Sequence, residues 1–389
     1  MDSSLSPRRS ALATGAQRLI DPVWKADTVR LLGWHARQHP MRQEAAMKLG
    51  LNTGYWSAGP PAGVAEQIAA ADRLGFDSIW TAEAYGSDCF TPLAWWGAAT
   101  ERVRLGTSIT QMSARTPAAT AMAAMSLDHL SGGRFVLGVG ASGPQVVEGW
   151  YGRPYSRPLA RTREYVDIVR QVIGRAGPVA YDGEFYQLPY TGQGSTGLGK
   201  ALKSTVHPLR RDIPIYLGAE GPKNVALAAE ICDGWLAWLF SPRHDAMYRG
   251  FLAAGFGCPA ARRSPEDFEV VASTILVPGD DVDACADFVR PVISLYVGGM
   301  GAKGANFHRA VFDRMGYEAQ CDTIQDLYLA GDKAAATAAV TTQMCEEIAL
   351  IGPWAKIAED LEAWRSSVVT TLLISGDPTT LERFAELAG

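Results

Sequence analysis

Short apolar runs recur along the chain from residue 47 onwards, and segments with the apolar spacing of helices separate them. Eight runs have the length of a strand, and they cover residues 48–52, 78–81, 103–109, 135–139, 213–217, 235–239, 268–277 and 370–375. Helical spacing follows most of them, as in the segments that begin at Val64, Pro117 and Lys356. Continuous apolar strands separated by helices are typical of a parallel sheet covered on both faces. Eight such units predict a closed (β/α)8 TIM barrel, and an open doubly wound sheet is the alternative.

Two stretches exceed this repeating pattern. Between the fourth and fifth predicted strands, we expect a helix over residues 161–175, a hairpin that turns at Asp182 and Gly183, and a glycine-rich loop. After the seventh strand, the helical pattern of residues 281–350 is interrupted by the sequence GGMGAKGANF. Active sites of such barrels lie at the carboxyl ends of the strands, so we expect both insertions to help build a pocket there. The alternative is that they only enlarge the barrel.

The first 46 residues differ from the rest. They carry scattered arginines and lysines but no apolar stretch long enough for a signal peptide or a membrane span. We interpret residues 1–46 as a mobile extension, or as the result of a start site placed too far upstream, and residues 47–389 as one barrel domain. His35 and His39 lie four residues apart without a nearby carboxylate or cysteine partner, so we predict no metal site.

Composition narrows the choice of ligand. Of the 389 residues, 47% are hydrophobic, and the net charge is −5. The chain has no stripe of basic residues with aromatic residues between them. A small molecule is therefore a better expectation than a nucleic acid. The six cysteines are scattered and have neither C-x-x-C nor metal-ligand spacing, which predicts a reduced, cytoplasmic protein without disulfides.

A glycine-containing turn between the fifth strand and the next helix has the features of a phosphate site. The turn consists of Gly218, Ala219, Glu220, Gly221 and Pro222. Its glycines let a ligand approach the backbone, and its proline is preset for a first helical position. Free N–H groups and the positive end of the helix dipole favour an anion. The alternative is an ordinary strand-to-helix turn.

Small polar residues and glycines follow the first four strands. The candidates are Asn52, Thr53, Thr81, Glu83, Thr107, Ser108, Ile109, Thr110, Gly140, Ala141, Ser142 and Gly143. Small polar groups and bare backbone suit the edge of a planar heterocycle whose phosphate lies in the turn described above. Residues 138–143 have G-x-G-x-x-G spacing, but we expect no dinucleotide-binding turn there, and no P-loop lysine motif occurs, so NAD and ATP are weaker candidates than a flavin-like cofactor.

Five runs of sequence are more specific than the alternation of strands and helices. They are WTAEAYGSD at 80–88, RVRLGTSIT at 102–110, SLDHLSGGRFVLGVGASGPQVVEGWYG at 126–152, TGLGKALKSTVHPLR at 196–210 and LGAEGPKNVALAAEICDGW at 217–235. Together they resemble the luciferase-like monooxygenase superfamily, in its coenzyme F420-dependent branch of actinobacterial type. The resemblance covers nearly all of residues 47–375 and implies a TIM barrel that binds a flavin or 5-deazaflavin at its carboxyl face.

The resemblance implies roles for individual residues. It implies a cis peptide bond between Ser108 and Ile109 behind the deazaflavin ring, contacts of residues 140–143 with the ring and ribityl chain, and phosphate binding by residues 218–222. Glu83 corresponds to an acid that contacts the cofactor, and it is the catalytic candidate. The histidine that follows this acid in many relatives is replaced by Ala84. Tyr85 or Asp88 could supply a proton instead.

The resemblance implies an oxidoreductase that transfers a hydride between C5 of coenzyme F420 and a small organic substrate. An FMN-dependent monooxygenase and a non-catalytic deazaflavin-binding protein are the alternatives, the latter because the histidine is missing. The strand-four glutamate of the glucose-6-phosphate enzymes is also absent, so we do not expect that substrate. A cytoplasmic homodimer without a membrane or nucleic-acid partner is the expected state.

Two further groups of residues have open interpretations. One is a basic cluster in the first insertion, which could hold the polyglutamate tail of coenzyme F420 or form a solvated loop, and it consists of Lys200, Lys203, His207 and Arg210. The other could line an apolar substrate pocket or serve in packing, and it consists of Trp56, Trp95, Trp96 and Trp150.

Overall fold

The computed structural model describes residues 47–389 of the chain. The predicted extension, residues 1–46, lies outside the described residues, as do His35 and His39. Eight strands form the central sheet: β1 Lys48–Asn52, β2 Ser78–Thr81, β3 Arg104–Thr107 with a second half at Thr110–Gln111, β4 Phe135–Gly140, β5 Ile215–Gly218, β6 Gly234–Ala237, β7 Glu269–Ser273 and β8 Thr371–Ile374.

The eight strands close into a barrel. Each strand pairs in parallel with its neighbours in chain order, and β3 pairs with β4 through Leu105 and Phe135. The circle closes where β8 pairs with β1, in a register that begins with Thr371 opposite Lys48. The predicted (β/α)8 barrel is therefore confirmed and the open sheet is excluded.

Helices surround the barrel and fill the second insertion. They are α1 Val64–Leu74, α2 Phe90–Gly97, α3 Pro117–Leu130, α4 Pro144–Gly149, α5 Pro158–Gly174, α6 Pro222–Ile231, α7 Asp245–Phe256, α8 Val282–Ser294, α9 Arg309–Arg314, α10 Glu318–Leu329, α11 Lys333–Ala338, α12 Thr342–Ile348, α13 Trp354–Arg365 and α14 Pro378–Ala388. Within residues 47–389, none of them combines the length and apolar character that crossing a bilayer requires.

The barrel interior is filled by side chains from alternate positions of the strands. They are Trp80, Val136, Tyr216, Leu236, Val271 and Leu373. The rings of Trp80 and Tyr216 stack with their centroids 6.0 Å apart. The large indole fits because β3 carries glycine beside it: a Cβ on Gly106 would lie 2.2 Å from Trp80 Cε3. The interior is thus packed rather than open, and a ligand must bind at an end of the barrel.

The amino end of the barrel is closed by charged groups that bind one another. Arg104 Nη2 lies 2.9 Å from Glu269 Oε2, and Lys48 Nζ lies 3.2 Å from Glu269 Oε1. Arg104 Nη1 also donates to the Tyr216 hydroxyl at 3.2 Å. Burial would raise the pKa of Glu269, but the neighbouring Arg104 and Lys48 lower it overall. These groups satisfy one another, so this end is structural and the carboxyl end is left for a ligand.

Both insertions contain secondary structure beyond the eight strand–helix units of the barrel. The predicted hairpin is confirmed between β4 and β5, where Tyr181–Asp182 pairs antiparallel with Gln187–Leu188. In the second insertion, Ile275–Pro278 pairs in parallel with Ala349–Gly352, and α8 to α12 lie between these two short strands in the chain.

The predicted seventh strand, residues 268–277, is wrong in extent. It is in fact two strands of two different sheets, divided at Thr274. The Thr274 hydroxyl donates to the carbonyl of Ile348 at 3.0 Å, which draws the chain away from the barrel towards the insertion. The apolar run continues through the break, so hydrophobicity alone could not reveal where the chain changes sheet.

Candidate functional site

Ile109 forms a small apolar platform at the carboxyl end of the barrel. The peptide bond that precedes it, from Ser108, is cis, as the family resemblance implies. The two-residue period of β4 and β5 turns Gly140 and Gly218 towards the barrel axis. A Cβ on Gly140 would lie 2.8 Å from Ile109 Cδ1, and a Cβ on Gly218 would lie 2.8 Å from Ile109 Cγ2. The side chain of Ile109 therefore occupies the space that these two glycines leave free.

Three predicted cofactor ligands bind the backbone of the barrel rim, one within its own loop and two on a neighbouring strand. Asn52 Oδ1 accepts from the backbone N–H two residues later at 3.0 Å. The Thr53 hydroxyl donates to the carbonyl of Trp80 at 3.0 Å, and the Thr107 hydroxyl donates to that of Gly138 at 2.8 Å. These groups hold the rim of the barrel together. Their contact with a cofactor stays a prediction.

The loop after β4, residues 140–143, is held from two sides. The carbonyl of Ser142 accepts from the Tyr155 hydroxyl at 3.1 Å, and the backbone of Ser142 has a φ of 59°. Gly143 precedes α4, and a Cβ on it would lie 3.3 Å from Cε1 of Phe307 in the second insertion. The insertion thus reaches across to the β4 loop, while Ala141 between these points stays half-buried.

The turn after β5 has the donors that an anion needs. Gly221 caps α6, Pro222 begins it, and the N–H groups of Gly221 and Lys223 have no partner within residues 47–389. Arg314 Nη2 donates to the carbonyl of Glu220 at 3.0 Å, and its Nε is buried without a partner in the described part of the chain. Burial lowers the pKa of the Arg314 guanidinium from its usual value. Free N–H groups, a helix dipole and a nearby cation all favour a phosphate here.

Ala219 has a structural contact in the same turn. Its carbonyl accepts from Nε1 of Trp235 at 2.8 Å, and this bond joins the ends of β5 and β6. The residues that the sequence predicts from 218 to 222 therefore form one turn at the rim. Phosphate binding by them stays a prediction.

Glu83 is buried in a network that uses both of its oxygens. Arg115 Nη1 lies 2.6 Å from Oε1 and 2.8 Å from Oε2, and the N–H of Gln111 donates to Oε2 at 2.8 Å. Only 4% of the Glu83 side chain is exposed. This geometry positions Arg115 and the second half of β3. Both carboxylate oxygens of Glu83 already accept hydrogen bonds. The catalytic role of Glu83 stays a prediction.

We expect Glu83→Gln to lower the free energy of unfolding by about 1–3 kcal/mol, because Arg115 would lose its buried charge partner. Urea unfolding measures this. Glu101→Gln, at an exposed position, is the matched control and should stay within about 0.5 kcal/mol of the wild type. Unchanged stability together with lost turnover would instead support a chemical role for Glu83.

The two substitute proton donors differ in their surroundings. Asp88 Oδ1 accepts from the backbone N–H groups of Phe90 at 2.9 Å and Thr91 at 2.8 Å, so Asp88 serves as a cap for α2. Tyr85 is 59% exposed, and its ring lies 6.5 Å from that of Trp150. Of the two, Tyr85 has the freer side chain.

Of the other three tryptophans, Trp56 and Trp96 follow the packing interpretation. Trp56 lies against Trp96, with ring centroids 6.1 Å apart, and Trp96 belongs to the core between barrel and helices. Trp95 points outward from α2 and is 80% exposed. Trp95 therefore fits neither interpretation, and the pocket interpretation does not hold for all four tryptophans together.

The basic cluster of the first insertion does not gather at the carboxyl face. Arg210 Nε donates to the buried Asp128 at 3.0 Å, and Arg210 Nη2 donates to the carbonyl of Phe135 at 2.6 Å. Phe135 begins β4, so Arg210 lies at the amino end. Lys203 donates to the carbonyl of Ala176 at 3.4 Å. The interpretation that all four residues bind the polyglutamate tail of coenzyme F420 is therefore wrong for Arg210.

A buried pair that the sequence analysis missed completes the site. His308 Nδ1 lies 2.8 Å from Glu220 Oε2. The ring of Tyr296 meets the His308 ring edge to face at 4.7 Å, and Trp238 lies 5.6 Å from Tyr296. The available signal was a histidine directly after the glycine-rich interruption of the second insertion. It was weak because nothing local connects residue 308 with residue 220.

Comparison with known proteins places this geometry in context. Residues 35–371 match the family model described as luciferase-like monooxygenase. The chain is 55% identical to a Mycobacterium tuberculosis protein named "Putative coenzyme F420-dependent oxidoreductase", over 85% of this chain and 96% of that protein. It is 29% identical to a 5,10-methylenetetrahydromethanopterin reductase of Archaeoglobus fulgidus, over 80% of this chain and 88% of that enzyme.

The fold has a close counterpart among solved structures. The coenzyme F420 dependent tetrahydromethanopterin reductase of Methanopyrus kandleri superposes with a TM-score of 0.72 at 23% identity. The match covers 88% of this chain and 98% of that one. At this identity the likeness supports the barrel fold alone.

Proposed function

Because this chain belongs to the luciferase-like monooxygenase family, we propose that it is a coenzyme F420-dependent oxidoreductase that transfers a hydride between C5 of the deazaflavin and a small organic substrate. The similarity to a protein named for coenzyme F420 supports the choice of cofactor. The observation that carries the proposal is the Ile109 platform next to a turn whose N–H groups at Gly221 and Lys223 have no partner in the described part of the chain. The platform and the turn suit a planar ring and a phosphate, respectively.

The residues present fit such a cofactor. Gly140 and Gly218 bring the backbone close to the Ile109 platform, so a flat ring can lie against apolar surface. The N–H groups of Gly221 and Lys223, which no other group of residues 47–389 accepts from, can bind a phosphate. When bound, coenzyme F420 supplies a carbon-bound hydride at C5 of its ring.

The rest of the site can restrict water and orient a substrate. Tyr296 and Trp238 cover the side of the mouth near β6, and Phe307 lies over the loop after β4. Tyr85 and Trp150 form an exposed aromatic pair near the end of β2. Aromatic walls of this kind favour an uncharged organic substrate, because they contribute large apolar area with few polar groups.

A fluorescence titration of the full chain with coenzyme F420, and separately with FMN, tests the proposal. We expect coenzyme F420 to bind with a Kd at least about tenfold lower than that of FMN, which corresponds to about 1.4 kcal/mol. Tighter binding of FMN would overturn the choice of cofactor and favour oxygen-dependent chemistry. Tight binding of coenzyme F420 without turnover of any carbonyl or alkene probe would favour a non-catalytic binding protein. The homodimer and the cytoplasmic location stay predictions.

A further inference from the structure

The pair of His308 and Glu220 has the geometry of an acid–base group. The side chains are 11% and 8% exposed, and the Nδ1–Oε2 distance is 2.8 Å. A buried carboxylate of this kind needs a hydrogen bond, and the histidine supplies it through Nδ1. Nε2 is then left for another partner, and nothing within residues 47–389 bonds to it. The ring thus has one nitrogen fixed and one available.

The backbone around His308 is held in place by a buried asparagine. Asn306 Oδ1 accepts from the N–H groups of His308 at 3.0 Å and Arg309 at 3.1 Å. Asn306 Nδ2 donates to the carbonyls of Tyr296 at 2.8 Å and Val297 at 2.9 Å. All these bonds lie inside the insertion, so His308 is positioned before a ligand binds.

Residues from several strand ends surround this histidine. Its chain neighbour Phe307 lies against Gly143 after β4, and Glu220 follows β5. Tyr296, which packs on its ring, also contacts Trp238 after β6. The carboxyl ends of these strands meet at one end of the barrel. His308 therefore lies at the carboxyl end of the barrel, beside the ends of β4 to β6.

We infer that Nε2 of His308 exchanges with the substrate the proton that accompanies hydride transfer, an inference that rests on the proposed function. When a hydride adds to a carbonyl carbon, the π electron pair moves to the oxygen. The His308 imidazolium then gives its Nε2 proton to that oxygen, which yields an alcohol and a neutral histidine that keeps its Nδ1 proton, hydrogen-bonded to Glu220. In the reverse direction, neutral His308 accepts the hydroxyl proton as the hydride leaves the carbon. Reduced deazaflavin is the hydride donor, so electrons and protons balance.

The other groups near the pair are less suited to this proton exchange. Burial, followed by the effects of neighbouring Tyr55 and Glu220, raises the pKa of Tyr296 well above its usual value, so its phenol stays protonated. Arg314 remains a cation and already donates to the carbonyl of Glu220. The titratable and charged groups that face the pair from the packed elements are Tyr55, Tyr248, Tyr296 and Arg314.

The experiment uses the full chain with reduced coenzyme F420 and two probes, cyclohexanone and cyclohex-2-enone. We expect His308→Gln to lower kcat by about a hundredfold or more, while the Kd for oxidised coenzyme F420 changes by less than about threefold. Free imidazole should restore part of the rate in His308→Ala. His129→Gln is the matched control, because His129 bonds to the carbonyl of His207 at 2.7 Å near the end of α3 and should show neither effect.

Nitrogen NMR of the ligand-free protein gives a readout that does not depend on activity. With labelled histidine, we expect neutral His308 to carry its proton on Nδ1, and Glu220→Ala to shift that proton towards Nε2. A neutral wild-type ring that carries its proton on Nε2 and none on Nδ1 would overturn the inference. A His308→Gln rate within about threefold of the wild type would also overturn it, with the proposed function intact. Failure to bind coenzyme F420 or to turn over either probe would instead count against the proposed function.

Discussion

Replacing Gly218 with valine is expected to weaken the binding of coenzyme F420 by about tenfold to a hundredfold. The added Cβ would lie 2.8 Å from Ile109 Cγ2, which is closer than carbon atoms pack, so the Ile109 platform must move. It has little room on the side of β4, because Ile109 Cδ1 already occupies the space that a Cβ on Gly140 would take. Overpacking of this kind costs about 1–3 kcal/mol, and each 1.4 kcal/mol is a factor of ten in affinity.

The matched control for this prediction is Gly250→Val on α7. Gly250 is exposed, and a Cβ there would meet no atom within 4 Å, so we expect the Kd to stay within about twofold of the wild type. Fluorescence titration measures the Kd, and circular dichroism verifies that both variants are folded. Wild-type affinity in Gly218→Val would mean that the ligand does not use the Ile109 platform.

Much of the fold was predictable because its signals are local. A strand of a parallel barrel is buried on both faces, so an apolar run such as that of β4 marks it directly. The helices were visible from their spacing, as in the segment that begins at Pro117 and forms α3. The run of residues 268–277 failed because it serves two sheets, and the pairing that divides it lies with strands far along the chain.

The candidate site was predictable only in part, for the same physical reason. Turns such as that of residues 218–222 carry their chemistry within a few residues, so they could be recognised. The pair of Glu220 and His308 spans 88 positions, and only tertiary structure brings it together. The Glu83 network, which joins Glu83 to Arg115 across 32 positions, was hidden in the same way.

The location of Arg210 could have been predicted from topology. It lies a few residues before β5, and the residues that precede a strand of this barrel lie at its amino end. Its ion pair with Asp128 therefore belongs to the structural end, away from the residues that follow the strands. The charge of a loop is a poor guide to ligand binding unless one also considers whether the loop lies at the amino or the carboxyl end of the barrel.

The same structural end contains Asp233, whose replacement should have the largest effect on stability. The side chain is 4% exposed and lies just before β6. Its oxygens lie 2.9 Å from Arg170 Nη2, 2.8 Å from Arg262 Nε and 2.7 Å from Arg263 Nε, and they also accept from the N–H of Ile215. Removal of one partner from a buried ion pair costs about 3–5 kcal/mol, so we expect Asp233→Asn to lower the free energy of unfolding by that amount.

Low pH should remove the stabilisation that Asp233 provides. The direction of this pH dependence follows from the shift of its pKa. Burial would raise the pKa of Asp233, but Arg170 and the Ile215 N–H lower it overall from its usual 3.8. The group binds fewer protons folded than unfolded, so its contribution is complete above pH 3.8 and is lost as the pH falls below that value. Urea unfolding between pH 7 and pH 3 should therefore show a loss of unfolding free energy in the wild type that is smaller in Asp233→Asn.

The matched control is Asp212→Asn. Asp212 contacts the same three arginines, but its side chain is 55% exposed, so we expect the substitution to lower the free energy of unfolding by less than about 1 kcal/mol. Equal losses in the two variants would mean that burial adds nothing to the pairing at Asp233.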